Sequence, residues 1–155
     1  MNKFEELCQS ASDEGVEIID YPFSSDRIKG LYCDGTIAID MDIHEESEKA
    51  CVLAEELGHH YTTVGNIIDQ STAENRKQER RARIWAYNKM ISLSDLIGSY
   101  KDGCRNQFEI SEYLGVTEEF LIECVNYYKE KYGIYTRFES YLIYFEPLGV
   151  LELYK

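Results

Sequence analysis

An α+β domain is the fold class that this sequence predicts, and two observations predict it. Short strand-like runs separated by turn signals lie before Asp40, whereas segments of helical periodicity fill most of the chain after it. Strands and helices are therefore segregated along the chain instead of alternating, which is the pattern of an α+β and not of a βαβ architecture. At 155 residues, with 44% hydrophobic and 29% charged residues, the chain has the size and composition of an ordinary globular domain with a core of its own.

Residues 2–13 place Phe4, Leu7, Cys8 and Ala11 at helical spacing. Three strand-like runs follow, at 16–21, 28–33 and 36–40, and Asp34-Gly35 is a tight-turn signal that joins the last two in a hairpin. The expectation is a short antiparallel sheet packed on helices. Helical patterns then run from Glu45 to Thr63 and from Thr72 to Ile91, with a weaker one from Ser94 to Tyr100. Asn106–Leu114 and Thr117–Tyr132 read as two helices broken at Gly115, with Thr117 as N-cap and Glu118 and Glu119 in the first turn. The tail, with apolar runs at 141–145 and 150–153 around Pro147-Leu148-Gly149, reads as a closing hairpin.

The net charge of −13, from 29 acidic and 16 basic residues, argues against binding nucleic acid through the overall field and favours encounter with basic partners. Five cysteines without a C-x-x-C pair suit free thiols in a reducing cytoplasm. The acidic start Met1–Glu6 is unlike a signal peptide, and no apolar stretch is long enough to span a membrane. The helices around Gly115 can also be read as a helix-turn-helix. Its second helix, however, opens Thr117-Glu118-Glu119-Phe120 and would repel phosphate.

Chemistry concentrates in Cys51–Tyr61, where apolar side chains cover most of a helix circumference. Glu55 and His59 are one helical turn apart and share a face, with Glu56 about 100° away. Two ligands at that spacing can chelate a divalent cation, and the residue after the first can reach the water that the cation acidifies. The same string also occurs on helices laced with salt bridges. Further on, Glu79 is an acid placed with Ala82, Trp85 and Ala86, opposite a solvated side of Arg76, Lys77, Arg80, Arg81 and Arg83. It reads either as half of an ion pair with Arg83 or as a third metal ligand.

Leu53–His60 followed by Glu79-x-x-Ala82-x-x-Trp85-Ala86 resembles the ImmA/IrrE metallo-endopeptidases of bacteria, mobile elements and prophages. The flanking strands and the segment Ile110–Val116 are similar as well, so that the resemblance runs from about Val16 to Tyr132. It implies a zincin-like peptidase core over 1–103 and a helical and hairpin extension over 104–155, packed on the core as one unit. It also implies His59 and Glu79 as metal ligands, Glu56 as general base, and Zn²⁺ as the metal. Glu55 stands where the family usually has its first histidine, with His60 ranked second and His44 third as the remaining ligand. Two carboxylates and one neutral histidine cancel the charge of the metal, which lowers its acidifying power and gives a harder ion such as Mn²⁺ a place. The implied substrate is a helix-turn-helix repressor, whose cleavage derepresses mobile-element or stress genes. A peptidase fold that captures such a repressor without cutting it is the alternative. Tyr61 and Tyr87 are candidates for stabilising the transition state by proximity alone.

Overall fold

The computed structural model describes residues 1–62 and 72–153, and among these it is α+β, with six helices and two three-stranded sheets. The chain divides into two compact units, Met1–Ala86 and Tyr87–Lys155.

The first unit begins with α1 (Lys3–Asp13), whose first turn is capped by the Asn2 side chain accepting from the Glu5 amide. Leu7 and Ala11, one turn apart, are its buried residues. The strands are β1 (Glu17–Tyr21), β2 (Gly30–Cys33) and β3 (Thr36–Asp40), in the order β1-β3-β2. The hairpin expected at Asp34-Gly35 joins β2 to β3 antiparallel, both turn residues having positive φ. The sheet as a whole is mixed, which corrects the antiparallel expectation, because β1 pairs with β3 in parallel register. β3 carries the strongest apolar alternation, with Ile37 and Ile39 fully buried. It therefore takes the centre, and the chain crosses from β1 to the far edge before β2 begins.

Two long helices complete this unit, α2 (Glu46–Thr62) and the greater part of α3 (Thr72–Met90). On α2, Ala50, Leu53, Ala54 and Leu57 are almost fully buried against the inner face of the sheet and against α1. On α3 the buried residues Gln78, Ala82, Ala86 and Met90 recur every four positions, with Tyr87 buried beside them, so that the helix presents one stripe to the interior.

The second unit holds α4 (Leu93–Lys101), α5 (Gln107–Leu114), α6 (Glu118–Tyr132) and the antiparallel sheet β4 (Tyr135–Phe138), β5 (Tyr141–Phe145) and β6 (Leu148–Glu152). A capping box between Ser92 and Asp95 starts α4, which is sharper than its periodicity alone indicates. Gly115 ends α5 in the left-handed region and Thr117 caps α6 through the Phe120 amide. The core is formed by Leu96, Leu121, Cys124, Tyr128, Ile143 and Phe145. Within it the Tyr128 hydroxyl donates to the Ile91 carbonyl. Burial pushes the Cys124 thiol up to about 12.

Candidate metal centre

Helix α2 meets its neighbours through three adjacent stripes, and each stripe places a different part of the site. Ala54 and Gly58, one turn apart, are buried. A Cβ on Gly58 would lie 2.3 Å from the Ala82 carbonyl oxygen and 2.9 Å from the Ala82 Cα. The backbones of α2 and α3 thus touch at this point, and only a residue without a side chain allows it. The Gly58–Ala82 contact accounts for two small residues in the sequence, and it sets the position of what stands beside each of them.

Beside Gly58 stands His59, and one turn before Ala82, on its flank, stands Glu79. Their side chains meet, with His59 Nε2 3.2 Å from Glu79 Oε1. His59 is mostly enclosed (15% exposed), whereas Glu79 is 60% exposed. This corrects the placing of Glu79 on the apolar face of α3. The buried polar residue of that face is its neighbour Gln78, and Glu79 lies at the margin, reaching inward to His59. The pair with Arg83 is not what holds it. The hydrogen bond to His59 is the main cause that lowers the Glu79 pKa, and Arg83 is the smallest contributor. In return, the Glu79 hydrogen bond raises the pKa of His59, helped by the charges of Glu56 and Glu55 and opposed by burial.

The third stripe, Val52, Glu56 and His60 at successive turns, faces the edge strand β2. A Cβ on Gly30 would lie 2.7 Å from Val52 Cγ1 and 3.0 Å from Glu56 Cγ. Glu56 is half-buried, and burial raises its pKa. The charge on His59 opposes that shift, Glu79 adds to it, and the Tyr32 backbone, which bonds to the carboxyl group, opposes it. His60 Nδ1 lies 2.9 Å from the Tyr32 hydroxyl. That hydroxyl oxygen already accepts the Gly35 amide at 3.2 Å. The same hydroxyl links His60 to the hairpin turn, its role toward Nδ1 following the tautomer of the ring. His60 is thus drawn to β2 and not to the His59–Glu79 pair.

Glu55 shares the face of His59 and acts on it through its charge. His44 is exposed in the segment before α2. Tyr61 is 41% exposed and stacks on Trp85 at 5.0 Å. Tyr87 is buried and its hydroxyl donates to Glu123 at 3.3 Å. Among the described residues no three His, Cys, Asp or Glu side chains are gathered as a ready metal site. The fit is best for the pair. Two donors each about 2.0–2.1 Å from a tetrahedral zinc stand roughly 3.3 Å apart, and His59 Nε2 and Glu79 Oε1 are separated by 3.2 Å.

A histidine and a carboxylate brought together from adjacent helices, with a second carboxylate on the next stripe of α2, are donor types that a metallopeptidase uses. The model of the peptidase M78 family, the IrrE N-terminal-like domain, matches residues 11–125. The chain belongs to this family. No curated protein and no solved structure matches it. No helix among the described residues is long and apolar enough to cross a membrane.

The buried Gln78 and the Tyr32–His60 link were not read from the sequence. Gln78 carries a polar label in a charged segment. Tyr32 lies 28 positions from its partner, beyond any local pattern.

Proposed function

We propose that this chain is a zinc-dependent endopeptidase that acts in the cytoplasm on a helix-turn-helix repressor. In this reading His59, Glu79 and Glu55 hold the metal, and Glu56 is the general base. The observation that carries it is the pairing of His59 with Glu79 at ligand spacing beside a partly buried Glu56. A bound zinc would polarise the scissile carbonyl and acidify water. Glu56 would take a proton from the attacking water on its carboxylate and pass it to the leaving amine. Burial makes Glu56 a stronger base than an exposed glutamate, and the Tyr32 amide orients its carboxyl group.

The Lys29 carbonyl accepts the Asp40 amide, so Lys29, Leu31 and Cys33 bond to β3, and the backbone groups of Gly30 and Tyr32 face outward beside Glu56. An extended peptide can add to such an edge through the Gly30 amide and carbonyl and the Tyr32 carbonyl, the Tyr32 amide being engaged by Glu56. The net charge of −13 suits a basic, DNA-binding substrate and disfavours direct contact with nucleic acid.

A second reading, capture of the repressor without cutting, is favoured by two observations: Glu55 stands in for a histidine, and no three-donor group is gathered among the described residues. Metal analysis of protein purified without chelator, paired with cleavage of a candidate repressor, separates the two. Stoichiometric zinc and a discrete cut support the peptidase. A metal-free protein that binds the repressor and leaves it intact supports capture. No binding to any such repressor removes the substrate assignment.

A further inference from the structure

The two ends of the Val52–Glu56–His60 stripe are engaged by two residues of one strand. Gly30 lies against Val52 and the stem of Glu56, and Tyr32 reaches His60 with its hydroxyl. Two residues of a strand advance about 6.6 Å, and the length of the Tyr32 side chain covers the rest of the about 12 Å from Val52 to His60. β2 is a four-residue edge strand, bonded to β3 on one side only. Short edge strands fray readily.

We infer that Tyr32 and His60 are positioning residues. Their hydrogen bond clamps the β2 edge onto α2, so that the Tyr32 amide stays on the Glu56 carboxyl group and Gly30 stays against its stem. His60 acts through Tyr32 and does not touch the reacting atoms. This rests on the reading of Glu56 as the base, but the clamp itself is a matter of geometry. The two ring centroids lie 5.3 Å apart, nearly edge to face, and the phenol is further fixed by the Gly35 amide at the hairpin turn. The hydroxyl of Tyr32 therefore ties the hairpin to the helix at the end of the stripe.

The test uses the full chain with Tyr32→Phe, His60→Ala and His60→Asn. Asparagine carries a polar atom on Cγ, where histidine carries Nδ1, and so it keeps an acceptor for the phenol. The first readout is amide hydrogen exchange and is independent of activity. In Tyr32→Phe and His60→Ala the amide at position 32 exchanges about tenfold faster or more, while those at 31 and 33, bonded to β3, keep their protection. His60→Asn restores the slow exchange. The second readout is cleavage. Tyr32→Phe and His60→Ala lower kcat by about tenfold with KM within about twofold, and His60→Asn recovers most of the loss. Unchanged exchange at position 32 in Tyr32→Phe overturns the clamp, as does a loss in His60→Asn equal to that in His60→Ala. If the parent cleaves nothing, the peptidase reading fails while the exchange readout still decides the clamp.

Discussion

The two faces that α2 offers to its neighbours are built on different terms. Toward α3 the contact is backbone on backbone, Gly58 against Ala82, with nothing able to move aside. Toward β2 it runs through side chains, with Val52 and Glu56 against Gly30 and His60 against Tyr32. The rigid face fixes a distance, that between His59 and Glu79. The adaptable face fixes an orientation, that of the Glu56 carboxyl group. A metal needs the first and a proton acceptor needs the second.

The sharpest way to separate the two faces is Glu56→Gln. The amide has nearly the same shape and keeps both faces intact, but it cannot take a proton, so cleavage falls by about 10²- to 10⁴-fold while metal content is unchanged. Retained proteolysis would remove Glu56 from the role of base. Next in size is Gly58→Ala. Its new methyl meets a carbonyl oxygen at 2.3 Å, so the helices must part. Overpacking of this kind costs about 1–3 kcal/mol, and denaturant unfolding should show it together with weakened metal binding. Gly30→Ala is the matched control on the other face. Its methyl meets the side chains of Val52 and Glu56 and not backbone, so stability falls by less than in Gly58→Ala. Cleavage nevertheless drops, because Glu56 is one of the two side chains that must give. Equal destabilisation by the two alanines would erase the distinction between the faces.

Glu55→His restores the more usual ligand set and leaves the metal more positive by one charge. This variant should bind zinc more tightly by isothermal titration than the parent and cleave at least as fast at neutral pH. Tighter zinc in the parent would mean that Glu55 serves zinc better than a histidine or that the third ligand lies elsewhere. The smallest effect is a pH dependence of the metal-free protein. His59 is raised by Glu79, so its share of the pair's stability is present below its ordinary 6.5 and is lost as the pH rises through the raised value. Glu79 is lowered by His59, so its share is present above its ordinary 4.5 and is lost as the pH falls through the lowered value. Both shares coincide between 4.5 and 6.5. Because Glu79 is more than half exposed, screening keeps the effect below about 1 kcal/mol. A thermal melting series should therefore show a shallow maximum in that window, and saturating zinc should abolish it.

Much of this was legible in the sequence, and the failures are instructive. The helices and the β2–β3 hairpin were readable because apolar periodicity and Asp34-Gly35 are local signals. The parallel pairing of β1 with β3 was not, since the choice of partner depends on which strand takes the centre of the sheet. β4 was missed because its turn to β5 is made by Glu139-Ser140, with Glu139 at φ 54 and no glycine or asparagine to announce it. At the site, the pairing of His59 with Glu79 follows from motif spacing, whereas its cause, the Gly58–Ala82 contact, shows only in three dimensions. The exposure of Glu79 was misread because a helical wheel sorts residues by angle and cannot tell the centre of a stripe from its margin.

The buried thiol of Cys124 gives the second unit a built-in reporter. With its pKa pushed up to about 12 and its sulfur enclosed in the α6 core, it carries almost no thiolate while the fold is closed. Exposed Cys33, on the β2–β3 hairpin, has no such protection. A thiol reagent applied to the native protein should therefore label Cys33 quickly and Cys124 only as fast as the unit around it opens. The ratio of the two rates turns one alkylation experiment into a clock for the opening of residues 87–155, read from the intact chain without denaturant.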